Sequence, residues 1–139
     1  MNNLFTEKKC PCGSDKEYNN CCGKFHSTKS SPNTAEELMR SRYSAFVNRL
    51  ADYLIQTLHP DESKKAKNRL SYSQLDQTSW LKLDVMKISQ GRKTDKVGRV
   101  EFKAHYIKDS EVCIHHELSR FKKHNGIWYY LDGTILINN

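Results

Sequence analysis

Several familiar devices are missing from this sequence. No apolar run approaches the ~20 residues that a membrane-spanning helix needs, so no membrane insertion is expected. The opening segment MNNLFTEKKC has no apolar stretch of the secretory kind. That points to a reducing cytoplasm, where disulfides are rare. There is no nucleophile elbow, phosphate-binding loop or dinucleotide fingerprint, so no catalytic motif argues for an enzyme. Basic residues never form a run of five, although the 139-residue chain carries 23 Lys and Arg against 16 Asp and Glu, a net charge of +7. Such a charge favours acidic partners, protein or RNA. No basic group is interleaved with aromatics as on a single-strand binding platform.

What the chain does have is cysteine in one place. Four of its five cysteines fall within CPCGSDKEYNNCCG, positions 10 to 23, in the order C-x-C, eight residues, C-C. Adjacent Cα atoms lie about 3.8 Å apart, closer than the ~4.4–6.8 Å usual in disulfides, so Cys21 and Cys22 would pair only under strain. Cross-pairing with Cys10 and Cys12 conflicts with the compartment. A redox motif would be C-x-x-C beside a βαβ unit, and neither is present. A tetrahedral Zn²⁺ site with thiolates from Cys10, Cys12, Cys21 and Cys22 fits the chemistry best. Gly13 allows a tight turn after Cys12, and Pro11 stiffens the first half of the site. Lys8, Lys9, Lys16 and Lys24 can offset the −2 charge of such a centre. Four protein ligands leave no open position, so one structural zinc is expected, folding together with a segment too short to bury a core.

Residues 24–33 read as a linker or laid-down loop. Thr34 and Glu37 form a capping box ahead of a helix carrying Leu38, Met39, Tyr43, Phe46, Val47 and Leu50. A second helix is expected over 51–58, stopped by His59-Pro60, and a third, exposed one over 61–76. From Trp80 the apolar period becomes two, with a parity change at Met86 that signals a bulge. Further strands alternate through Val100–Tyr106, Val112–Leu118 and from Ile127 onward. Asn125-Gly126 marks a tight hairpin turn. Helices followed by antiparallel strands give an α+β fold.

The cysteine spacing, with CPCGS and CCG flanking it and Lys16 and Tyr18 between, resembles the SEC-C motif. That motif is named for the zinc-binding tail of the preprotein-translocase ATPase. LMRSRYSAF (38–46), ADYLIQTLHP (51–60) and ELSRFKKHNGIWYYLDGT (117–134) are similar to the YchJ-like proteins. These join a SEC-C motif to a nuclear-transport-factor-2-like domain, and many carry a second motif where this sequence runs out as GTILINN. The resemblance implies a zinc knuckle at 1–25 and, at 26–139, a cone of helices against a curved antiparallel sheet. It also implies a cytoplasmic interaction adaptor, its partner a protein of the secretion or translation machinery. An alternative is a small enzyme or ligand-binding cone. Its polar pocket would draw on Arg42, Tyr43, Arg120, Tyr130 and Asp132, with Glu117 or Asp132 as base. The bland reading of those residues is a structural ion-pair network, which the pattern favours. His116 is expected as a satisfied core histidine with His115 pointing away from it, and Cys113 as an inert, partly buried thiol.

Overall fold

The structure, a computed structural model, describes residues 8–61 and 78–137; the expected third helix, all but its first residue, lies outside those residues. The order is α1 (Cys22–His26), α2 (Ala35–Val47), α3 (Ala51–Gln56), then β1 (Ser79–Gln90), β2 (Val97–Lys108), β3 (Glu111–His124) and β4 (Ile127–Ile135). The four strands form one antiparallel meander in sequence order. Among the described residues no helix is long and apolar enough to cross a membrane.

Helix α2 starts where its cap residues require. The Thr34 hydroxyl accepts the Glu37 amide at 3.1 Å. Glu37 reaches back one residue further than the standard box, to the Asn33 amide at 2.7 Å. Helix α3 ends at Gln56, before the His59-Pro60 stop. Thr57 Oγ1 donates to the Tyr53 carbonyl, and the chain then leaves helical geometry to pair with β4. The His59 amide donates to Tyr130 O, and the Tyr130 amide to Thr57 O, both at 2.8 Å.

In the sheet, Val85 opposes Phe102 while Lys87 opposes Glu101, so Met86 is the extra residue of a bulge. The inner face carries Val100, Phe102, Ala104 and Phe121 against Leu38, Met39 and Tyr43 of α2. The turn after β3 takes positive φ at Asn125 (52°) and Gly126 (80°), as a two-residue hairpin loop requires. The alternating set on β3 faces outward instead of into the core: Val112 is 67% exposed and Ile114 53%. Register decides this, because Phe121, Ser119 and Glu117 oppose the inward Gly98, Val100 and Phe102.

The β1–β2 hairpin docks on the start of α2 by backbone. The Ala35 amide donates to Gly91 O at 2.9 Å, and the Gly91 amide to Val97 O at 3.0 Å. A Cβ on Gly98 would run into the Gly91 backbone and approach Ala35 Cβ to 3.1 Å. Gly98→Ala should therefore destabilise the protein by about 1–3 kcal/mol, seen as a lower urea midpoint at unchanged m-value. A midpoint equal to wild type would show that this close approach does not matter.

Candidate functional site

The N-terminal segment gathers its thiols by folding back on itself. Lys9 and Glu17 form an antiparallel bridge, the Cys10 amide donates to Lys16 O at 2.8 Å, and Gly13 turns the chain at φ +84°. A 3₁₀ turn, Tyr18–Asn20, leads to Cys21 and then to α1, which opens at Cys22. Gly23 has no side chain where a Cβ would lie 2.7 Å from the Tyr18 carbonyl. The four sulfurs of Cys10, Cys12, Cys21 and Cys22 all lie within 4.8 Å of one another and could hold a metal ion. No disulfide joins them. Their protons are shared unequally. Cys12 is drawn down by the sulfur bonds of Cys10 and then Cys22, whereas Cys22 is pushed up by its bonds to Cys10 and Cys12 and by burial.

This head is seated on α2. Cys10, Cys12 and Cys22 belong to the same core cluster as Leu38, Met39, Tyr43 and Leu83. Arg40 donates from Nη1 to the Cys12 carbonyl at 2.7 Å, and Cys10 Sγ meets Ser44 Oγ at 3.5 Å. His26 Nε2 donates to the Ser41 carbonyl, so its Nδ1 accepts the Tyr18 hydroxyl; burial lowers its pKa and keeps it neutral. Phe25 enters a second cluster with Ala45, Ala51, Tyr53 and Leu54. The boundary expected between residues 25 and 26 thus runs through α1, and residues 25 and 26 are anchors of the head, not linker.

Between α2 and the sheet lies a cavity of about 290 Å³ whose lining includes Met39, Phe46, Phe102, Phe121 and Tyr43. Burial pushes Tyr43 up to about 12. Its floor is polar. Glu117 accepts from His115 Nε2 at 2.8 Å, from Ser119 Oγ at 2.5 Å and from the Tyr130 hydroxyl at 2.8 Å. Burial alone would raise this carboxyl, but the three donors outweigh it and hold Glu117 below the usual carboxylate range. Gly133 makes room for the network, since its Cβ would stand 2.6 Å from the Tyr130 hydroxyl. Arg42 donates from Nη1 to Leu54 O and Thr57 Oγ1 and lies 4.5 Å over the Tyr130 ring. Burial lowers its pKa. The Trp80 indole N–H is buried without a partner among the described residues, a cost of about 1–3 kcal/mol.

Of the expected pocket residues, Arg42, Tyr43 and Tyr130 line this cavity. Arg120 and Asp132 do not. They pair with each other on the outer face of the sheet, each about half exposed. The register shows why: Phe121 opposes Tyr130 while Arg120 opposes Asp132, so Leu131 is a bulge that throws Asp132 to the opposite face. Of the two candidate bases, Glu117 is the one inside. The histidines also change places. His115 lines the cavity, whereas His116 is satisfied by Glu101 at 2.7 Å on the outer face. Cys113 is partly exposed and apart from the cluster. Ser119 carries no signal in the sequence beyond the parity it shares with Glu117, and Gly133 carries none, since it reaches that face only through the bulge at Leu131.

A cysteine head folded onto an α+β cone is the architecture of a SEC-C motif joined to a nuclear-transport-factor-2-like domain. The family model described as the middle, NTF2-like domain of YchJ matches residues 34–133, and the chain belongs to that family. A UPF0225 protein of Vibrio parahaemolyticus is 42% identical over 125 residues, covering 90% of this chain and 74% of the relative. Another, from Haemophilus influenzae, is 42% identical over 130 residues, 92% of this chain and 78% of the relative. Among solved structures, a SEC-C motif containing protein of Rhodopseudomonas palustris superposes with a TM-score of 0.80 at 30% identity, covering 94% of this chain and all (100%) of that one. A second, from Psychrobacter arcticus, has a TM-score of 0.75 at 30% identity over 98% of this chain and 87% of that one.

Removing one donor from Glu117 gives a direct check. Its depressed carboxyl stabilises the fold above the unfolded pKa of about 4.3, and that contribution is lost as pH falls through the folded value. Tyr130→Phe should raise the pH at which the Glu117 carboxyl titrates, read by carbon NMR, and lower stability at pH 7 by about 1 kcal/mol. An unmoved titration would rule out the Tyr130 hydroxyl as a donor that matters.

Proposed function

We propose that the four thiolates hold one structural Zn²⁺, and that the metallated head is the interaction surface of a cytoplasmic adaptor. The observation that carries the metal reading is the sulfur geometry. A tetrahedral Zn²⁺ bonded at about 2.3 Å to four sulfurs spaces them about 3.8 Å apart. Cys12 and Cys21 stand 3.7 Å apart, and a disulfide would need about 2.05 Å. An all-sulfur set suits zinc above magnesium or calcium. With four protein ligands and three of the cysteines buried, the ion's role is to fix the fold, with no site left for substrate.

The adaptor reading rests on what the head presents outward. Its thiol side is sunk into the core against α2, while Lys8, Lys9 and Lys16 are exposed. The chain's charge of +7 draws acidic surfaces toward this side. The partner class, a protein of the secretion or translation machinery, is carried over from the resemblance of the head to the SEC-C motif of the preprotein-translocase ATPase.

Protein purified under reducing conditions should carry one zinc per chain, and Cys21→Ser/Cys22→Ser should abolish it; a metal-free, folded wild type would refute the centre. For the adaptor, Lys9→Glu/Lys16→Glu keeps the four thiols and reverses the surface charge. Nuclease-treated lysate should yield a partner set with wild type that this variant loses. Identical sets from both would place the interaction elsewhere.

A further inference from the structure

The inner cavity shares Met39 and Tyr43 with the core beneath the head, but its floor is organised around one unused acceptor. Glu117, ionised, can only accept, so the His115 nitrogen facing it is the donor. In the neutral imidazole this contact selects the tautomer with the hydrogen on Nε2 and the lone pair on Nδ1. Nδ1 has no partner among the described residues. The His115 side chain is 35% exposed against 11% for Glu117, and it lines the cavity. The carboxylate is itself held by Ser119 and Tyr130, so the imidazole is oriented by a fixed support.

The surroundings decide what could meet Nδ1. The apolar walls call for an apolar body, and about 290 Å³ is at the small end of ligand pockets. A cation would meet the buried Arg42 guanidinium, which has no carboxylate in contact among the described residues. A carboxylate ligand has no hydrogen to give and would approach Glu117. A neutral hydroxyl on an aromatic ring satisfies all three conditions. We propose that the cavity binds a small, neutral, mostly apolar molecule with an aromatic hydroxyl. Its O–H donates to His115 Nδ1, and Glu117 acts as the positioning residue. This site is separate from the thiol head and stands whether or not the head recruits a partner.

The test compares 2-naphthol with 2-methoxynaphthalene, which has the same ring and no donor, on the full zinc-loaded chain. Binding is followed by the indole N–H signals of the two tryptophans. Trp80 lines the cavity, whereas Trp128 donates to Asn33 O outside it. The Trp80 signal should move saturably and the Trp128 signal should stay. 2-Naphthol should bind roughly tenfold tighter than its methyl ether, the worth of one hydrogen bond. His115→Leu should bring that ratio close to one, and Glu117→Gln, which releases the tautomer, should lower it. Arg120→Gln on the outer face should leave it unchanged. The proposal falls if millimolar 2-naphthol leaves the Trp80 signal in place, if the two probes bind wild type equally, or if the preference survives His115→Leu. The wild-type ratio needs no variant to fold.

Discussion

Four thiols brought into one small, mostly buried volume cannot all ionise without a cation beside them. Everything about the N-terminal segment follows from resolving that conflict. The bridge at Lys9 and Glu17, the turn at Gly13 and the missing side chain at Gly23 serve to aim sulfur at sulfur. The same volume is closed on its far side by α2, through Ser44 at Cys10 and Arg40 at the Cys12 carbonyl. The segment is too short to hold itself together by apolar burial. It therefore leans on the thiol cluster and on the helix at once.

Helix α2 is consequently used on two sides. Arg40, Ser41 and Ser44 meet the head, through Cys12, His26 and Cys10 respectively. Met39, Arg42, Tyr43 and Phe46 line the cavity under the sheet. Residues two apart on a helix point in different directions, so Arg40 and Arg42 serve the two sides separately. Ser41 links them further, since its hydroxyl bonds Tyr53 of α3 while its carbonyl accepts from His26. A disturbance at the thiols thus reaches the helix that shapes the cavity through ordinary packing.

Much of this was legible in the residues. The capping box, the Asn-Gly turn and the change of parity at Met86 are local signals whose physics is complete within a few residues, and the structure follows them. The gathering of the four cysteines was legible for the same reason, because their spacing is short. What the sequence hid depends on register between distant strands. Trp128, Tyr130 and Asp132 keep an unbroken alternation, so nothing local announces the bulge at Leu131 that sends Asp132 outward. The apolar Val112 and Ile114 suggested the wrong inner face for β3, since the partner strand fixes the parity. The docking of the head was hidden too, because Phe25 and His26 look like linker residues until α2 and α3 are in place.

The central claim is that the thiol centre and α2 are one structural unit. Hydrogen exchange before and after stripping the metal with a chelator tests it most directly, with zinc restored as control. The account predicts that residues 38–46 of α2 lose protection together with residues 10–23 and regain it on readdition. Unchanged protection across α2, with opening confined to residues 10–23, would contradict it.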